Sequence, residues 1–201
     1  SRAPVTGTTT VNSGTLYVYG SVTGPARINA GTLHSSSGVG GRVTLAGGTL
    51  ETTGTVSAVI ASPAGSAVTA WAGDGHASQN LTLSFNSGAP LTWGAGKGFL
   101  AGTDTLTLNT ASADSGTASP TYAALHLTNA INLNSTVGTI STTTANGRYH
   151  GAIQDFTSAV VTLTGNITDS GASGGIVKNG SGTLWLDPAI GNNTFAGTTT
   201  I

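Results

Sequence analysis

The chain has no cysteine and no methionine, and charge is scarce: six Lys and Arg and seven Asp and Glu among 201 residues. Without thiols there is no disulfide framework and no thiolate metal site. The basic residues Arg2, Arg27, Arg42, Lys97, Arg148 and Lys178 are scattered. No cluster exists to neutralise a phosphate backbone or dock on anionic lipid, so neither nucleic acid nor a membrane surface is an expected partner. No apolar run approaches the roughly 18 residues of a spanning helix, so no membrane insertion is expected. Long amphipathic helices are missing too, because Gly and β-branched residues disfavour them and no apolar 3.6-residue period is sustained. The first residue is Ser1 and no leader-like segment follows it. The chain is therefore expected to be a processed or excised form of a longer product.

What remains is Gly, Ser, Thr, Asn and small aliphatics. Glycines number 31 and 37% of residues are hydrophobic. Disordered chains combine low hydrophobicity with high net charge, and here the net charge is -1. Short alternating segments read as strands: Thr15 to Val18, Val43 to Leu45, Leu81 to Leu83, Leu106 to Leu108, Val161 to Leu163 and Thr183 to Leu186. Alternation puts Leu and Val on one face and Thr on the other.

These segments repeat. Asn12-Ser-Gly-Thr-Leu16 returns as Asn29-Ala-Gly-Thr-Leu33 and as Ala46-Gly-Gly-Thr-Leu50, so Gly14, Gly31 and Gly48 are spaced 17 apart. Such self-similarity marks a solenoid, in which each coil buries its apolar side against its neighbours. The glycine is expected to make the corner, and the leucine after it to point inward onto its equivalents. The expected fold is all-β: a single right-handed parallel β-helix (β-solenoid) over residues 1–201. Residues 1–61 read as regular coils, 62–123 as irregular loop-bearing coils with Trp71, Trp93, Phe99, Pro90 and Pro120, and 124–201 as regular coils again.

Catalysis on such a scaffold calls for clustered carboxylates beside a base or cation. Glu51, Asp74, Asp104, Asp114, Asp155, Asp169 and Asp187 are dispersed, with no Asp-x-Asp. Arg148-Tyr149-His150 with Asp155 is the one local set able to act on a sugar, and it reads as a polar loop after the Asn146-Gly147 turn. Asp74-Gly75-His76 reads as a turn, and His34 and His126 as single hydrogen-bonded side chains on strands. No catalytic residue, metal ligand or cofactor is expected. Trp71, Trp93 and Tyr149 could stack on sugars or pack under loops. Thr8 with Thr10, and Thr198 with Thr200, share strand faces and could order water if stacked coils repeated them.

The C-terminal run Gly174-Gly-Ile-Val-Lys-Asn-Gly-Ser-Gly-Thr-Leu-Trp-Leu186, followed by Asn193-Thr-Phe-Ala-Gly-Thr-Thr-Thr-Ile201, resembles the autotransporter-associated β-strand repeat. Gly174, Gly175, Lys178, Gly180, Gly182, Thr183, Leu184, Asn193, Phe195, Gly197, Thr199 and Ile201 occupy its characteristic positions. Its continuation stands at the other end as Gly7-Thr-Thr-Thr-Val-Asn-Ser-Gly-Thr-Leu16. Leu91-Thr-Trp-Gly94 and Asn129-Ala-Ile-Asn-Leu-Asn134 are similar to segments of long bacterial surface proteins of this kind. The resemblance implies a parallel β-helix passenger, secreted and displayed extracellularly or on a bacterial cell surface, without the outer-membrane barrel of a full autotransporter.

The motif complete at Thr8 to Leu16 is half present at Ile201, leaving an edge for another strand. Head-to-tail self-association into fibres is the expected partnership, through Thr8, Thr10, Val11, Phe195, Thr198, Thr200 and Ile201, with surface glycans as a further class of partner. The expected role is that of a structural or adhesive surface protein, not an enzyme. The alternative is a carbohydrate-binding or carbohydrate-cleaving β-helix.

Overall fold

A computed structural model of the chain describes residues 2–60, 65–72, 79–94, 99–113, 121–146 and 160–201. The described residues are all-β apart from one 3-10 turn, Asn86–Gly88. The strands line up in parallel ladders. The first runs β1 (Thr9–Val11), β3 (Ala26–Ile28), β5 (Val43–Leu45), β7 (Gly54–Ile60), β9 (Gln79–Phe85), β12 (Thr121–Leu127), β16 (Val160–Leu163) and β19 (Thr183–Leu186). The second runs β2 (Thr15–Val18), β4 (Thr32–Ser35), β6 (Thr49–Thr52), β8 (Ala67–Ala70), β11 (Thr105–Ala113), β14 (Val137–Ser141), β18 (Gly175–Asn179) and β20 (Thr199–Thr200). Beside the far half of β11 lies β15 (Thr144–Asn146), also parallel. A short third ladder joins β10 (Leu91–Thr92), β13 (Ile131–Asn132) and β17 (Ile167–Thr168), and Thr168 bridges on to Thr194. Near the N-terminus, Val5, Val22 and Val39 bridge in the same parallel sense.

The register follows the sequence repeat. Thr15, Thr32 and Thr49 pair in a row, as do Leu16, Leu33 and Leu50. Leu33 and Leu50 are fully buried, and Val68 and Leu108 extend their row. On the first ladder Leu83, Leu127 and Leu163 stack in the same way, and on the third Leu91, Ile131 and Ile167 do. These inward aliphatic rows form one contiguous core. Burial of that apolar surface, at about 25 cal/mol per Å², is what stabilises strands too short to stand alone.

The corners are made differently from the sequence expectation. Gly14 and Gly31 have positive φ (69° and 86°), but in the third repeat that conformation moves to Gly47 (φ 113°). Gly48 is required for space instead, since a Cβ there would lie 2.3 Å from Ile28 Cγ2. A second glycine series stands on the opposite corner. A Cβ on Gly24 would lie 2.3 Å from the Gly7 carbonyl oxygen, and one on Gly41 only 2.0 Å from that of Gly24. Backbones stack there with no room for a side chain.

Two further features depart from a uniform parallel stack. Beyond the core, β11 and β12 pair antiparallel, with Ser112 opposite Tyr122 and Ala113 opposite Thr121. The Gly-Thr-Leu motif also changes ladder: it opens β2, β4 and β6 on the second ladder but β19 on the first. Between them the pairings skip long stretches, Ala67 to Thr107 and Gln79 to Ala123, and the repeat re-enters one face displaced.

Candidate functional site

The residues expected at the ends lie at unpaired ladder edges. Thr10 and Val11 belong to β1, whose described pairing is with β3 alone, and Val11 is buried while Thr8 and Thr10 are exposed. Thr200 lies in β20, paired on one side with β18, and Thr198 and Ile201 beside it are exposed. Phe195 is half-buried against the core. At this end a recess of about 280 Å³ opens between Ile176, Leu184, Leu186 and Ile201, with the stem of Lys178 along one wall. Ile201 is 96% exposed. At the opposite end Leu16, the first member of its row, is 40% exposed where its equivalents are fully covered. Among the described residues, both ends thus present unpaired backbone and uncovered aliphatic carbon.

Thr10 and Thr200 do not belong to a stacked row of threonines. Thr10 is followed in register by Arg27 and Thr44, and Thr200 lies beside Val177. A flat ice-ordering surface has no basis in that row.

Of the two readings open for Trp93, stacking on sugars or packing away from solvent, the structure favours the second. Trp93 is buried in the core beside Gly138, where a Cβ would lie 3.0 Å from the indole ring. The absent side chain makes room for the largest residue in the core. Phe99 is buried as well, edge-on to Phe85 at 5.0 Å between centroids. Tyr149, Arg148, His150, Asp155, Asp74 and His76 lie outside the described residues. His126 is half-buried on β12, in register with Thr82 and Thr162. Among the described residues, no three His, Asp or Glu side chains gather as metal ligands would.

A constellation absent from the sequence reading stands on the outer face of the second ladder. Tyr17 on β2, His34 on β4 and Glu51 on β6 are consecutive partners in register. They alternate with the inward leucines, so all three rise from the same outer face. Tyr17 and Tyr19 are 59% and 55% exposed, with rings 6.3 Å apart and near parallel at 17°. Tyr17 contacts His34 (centroids 5.3 Å), and Trp71, just past β8, meets His34 edge-on at 4.7 Å. The Arg2 guanidinium lies 4.7 Å from the Tyr19 ring centre, a cation–π distance.

These rings bury His34 although it points outward. Its Nδ1 lies 3.3 Å from Glu51 Oε2, close enough for an ion pair, yet it is not aligned for a hydrogen bond with any described group. Glu51 itself keeps about a quarter of its side-chain surface open. The signal in the sequence is the spacing: residues 17, 34 and 51 follow the same 17-residue period as the glycines.

No family model matches the chain, and no curated protein or solved structure was found to be similar to it.

Proposed function

We propose that the chain is a segment of a right-handed parallel β-solenoid serving as a structural or adhesive protein outside the cell, of the autotransporter-repeat kind. Its coils continue end to end by head-to-tail stacking of copies. The observation that carries this reading is the match between the two open ends. Phe195-Ala-Gly-Thr-Thr-Thr-Ile201 and Val5-Thr-Gly-Thr-Thr-Thr-Val11 have one spacing and hold the open edges at opposite ends. Seating the second on the first places Thr15–Val18 of the next copy alongside Thr183–Leu186. Leu16 then enters the recess beside Leu184 and Leu186. One contact pairs free backbone edges and covers aliphatic surface on both partners. Since donor and acceptor surfaces differ, the contact does not close on itself and propagates as a filament. Such a role needs rigidity, length and a surface of low charge, and no catalytic group.

The test is electron microscopy of the purified protein across a concentration series, with Leu16→Arg and Ile201→Arg variants. Filaments that lengthen with concentration and disappear in both variants are expected. Single particles of one length at every concentration would refute the stacking.

A further inference from the structure

We infer that the outer face of the second ladder carries a binding site for a neutral glycan, built on Tyr17, Tyr19 and Trp71 with Glu51 as the hydrogen-bond acceptor. The site gives the adhesive part of the proposed function a ligand class and rests on that reading, but not on filament formation. Its side chains point away from the core, so whatever adjoins the ladder edge leaves them in place.

Three observations converge. Two tyrosine rings, near parallel and more than half exposed, present aromatic surface on which the C–H face of a pyranose can stack while the phenolic hydroxyls stay available to sugar hydroxyls. The tyrosine rings adjoin the buried His34 and the half-buried Trp71, so the exposed aromatic surface rests on a packed support. The second observation is the buried His34. Its Nδ1 has no hydrogen-bonded partner among the described residues and faces the Glu51 carboxylate. Wedged between Tyr17 and Trp71, the imidazole stands 3.3 Å from the carboxylate at the edge of the aromatic row without donating a hydrogen bond to it. A carboxylate accepts several hydrogen bonds, and one contact from an imidazole leaves acceptor capacity for hydroxyl donors.

The third observation is charge. Among the described residues of the patch, Arg2 is the one cation, and it is engaged with the Tyr19 ring at the far end of the row from Glu51. An anionic polysaccharide or a nucleic-acid strand would meet the Glu51 carboxylate where no Lys or Arg among the described residues stands beside it. A neutral sugar meets no such penalty.

The experiment is affinity electrophoresis and tryptophan-fluorescence titration of the whole chain against neutral polysaccharides (dextran, mannan, laminarin and xylan). Polygalacturonate and tetramethylammonium serve as anionic and cationic probes. Trp185, which the proposed stacking sets beside Tyr17 of the next copy, is replaced by Phe, leaving Trp71 as the tryptophan at the site while Trp93 stays buried in the core. Saturable binding of at least one neutral polysaccharide is expected. Tyr17→Ala should weaken it about tenfold, the loss of one stacking partner, while Tyr17→Phe keeps most of it. Glu51→Gln should weaken it several-fold. Failure of every neutral polysaccharide to bind, equal affinity in Tyr17→Ala, or tighter binding of polygalacturonate or tetramethylammonium would overturn the site. Filaments seen by microscopy in Tyr17→Ala would show that the loss is one of ligand and not of assembly.

Discussion

Asn129 grips the backbone of Phe85, 44 positions earlier, with both ends of its amide: Phe85 N–H donates to Oδ1 at 2.8 Å, and Nδ2 donates to the Phe85 carbonyl at 2.8 Å. The same Nδ2 donates to the Ala89 carbonyl, also at 2.8 Å. One buried side chain therefore satisfies three main-chain groups where the chain leaves the first ladder and turns towards the third.

Replacing Asn129 with Ala should cost about 3 kcal/mol, because the buried Phe85 N–H and carbonyl lose their partners while staying away from water. Asn129→Asp should do no better, since it supplies no donor for the two carbonyls and buries a charge. Denaturant unfolding monitored by far-UV circular dichroism measures both.

Three glycines separate conformation from space. Gly14 has a positive φ but open surroundings, Gly24 lacks the positive φ but abuts the Gly7 carbonyl, and Gly31 has both constraints. Gly14→Ala should cost roughly 1–2 kcal/mol, the penalty of a left-handed backbone for an L side chain. Gly24→Ala forces backbones apart and should cost about 1–3 kcal/mol. Gly31→Ala should exceed either alone. Thermal melts of the three variants settle the order, and a Gly31 variant as stable as the Gly14 one would contradict the stacked corner.

Asp169 makes part of the fold sensitive to acid. Its carboxylate accepts backbone N–H bonds from Ser135 (2.7 Å), Gly174 (2.6 Å) and Gly171 (3.0 Å). The bonds from Ser135 and Gly174, with smaller help from Gly171 and Ser173, hold its pKa below the ordinary Asp value against a modest opposing effect of desolvation. A group whose folded pKa is depressed contributes its stability above the unfolded pKa and loses it as pH falls through the folded value. The wild type should thus lose stability below the ordinary Asp range more steeply than Asp169→Asn. Unfolding midpoints of the two proteins between neutral pH and strongly acidic pH should converge at the acid end.

Much of this architecture can be read from the residues. Thr15–Val18, Val43–Leu45 and Thr183–Leu186 are strands with the bounds that alternation gives them, because each lies between turn-forming residues. The 17-residue period translates directly into register, since Leu16, Leu33 and Leu50 do pair. That period held more than the Gly-Thr-Leu motif. It also set Gly7, Gly24 and Gly41 on one corner and Tyr17, His34 and Glu51 on one row, relations invisible when each residue is weighed singly. Trp93 was harder, as its place inside depends on Gly138 standing opposite, a match between distant segments that no local pattern encodes. The displacement of the repeat from one ladder to another was out of reach for the same reason: it accumulates across stretches whose length the period does not fix.

Ladder contacts involve only a few residues from each pass of the chain, and Gln79 finds Ala123 as readily as Thr15 finds Thr32. The segments between such anchor points are free to grow or shrink while the scaffold on either side keeps its alignment. Foreign peptides spliced between Ala113 and Thr121, where the chain already departs from the stack as an antiparallel pair, would be held out from a rigid support. A molecule organised in this way acquires new surface by lengthening its detours and leaves its interior unaltered.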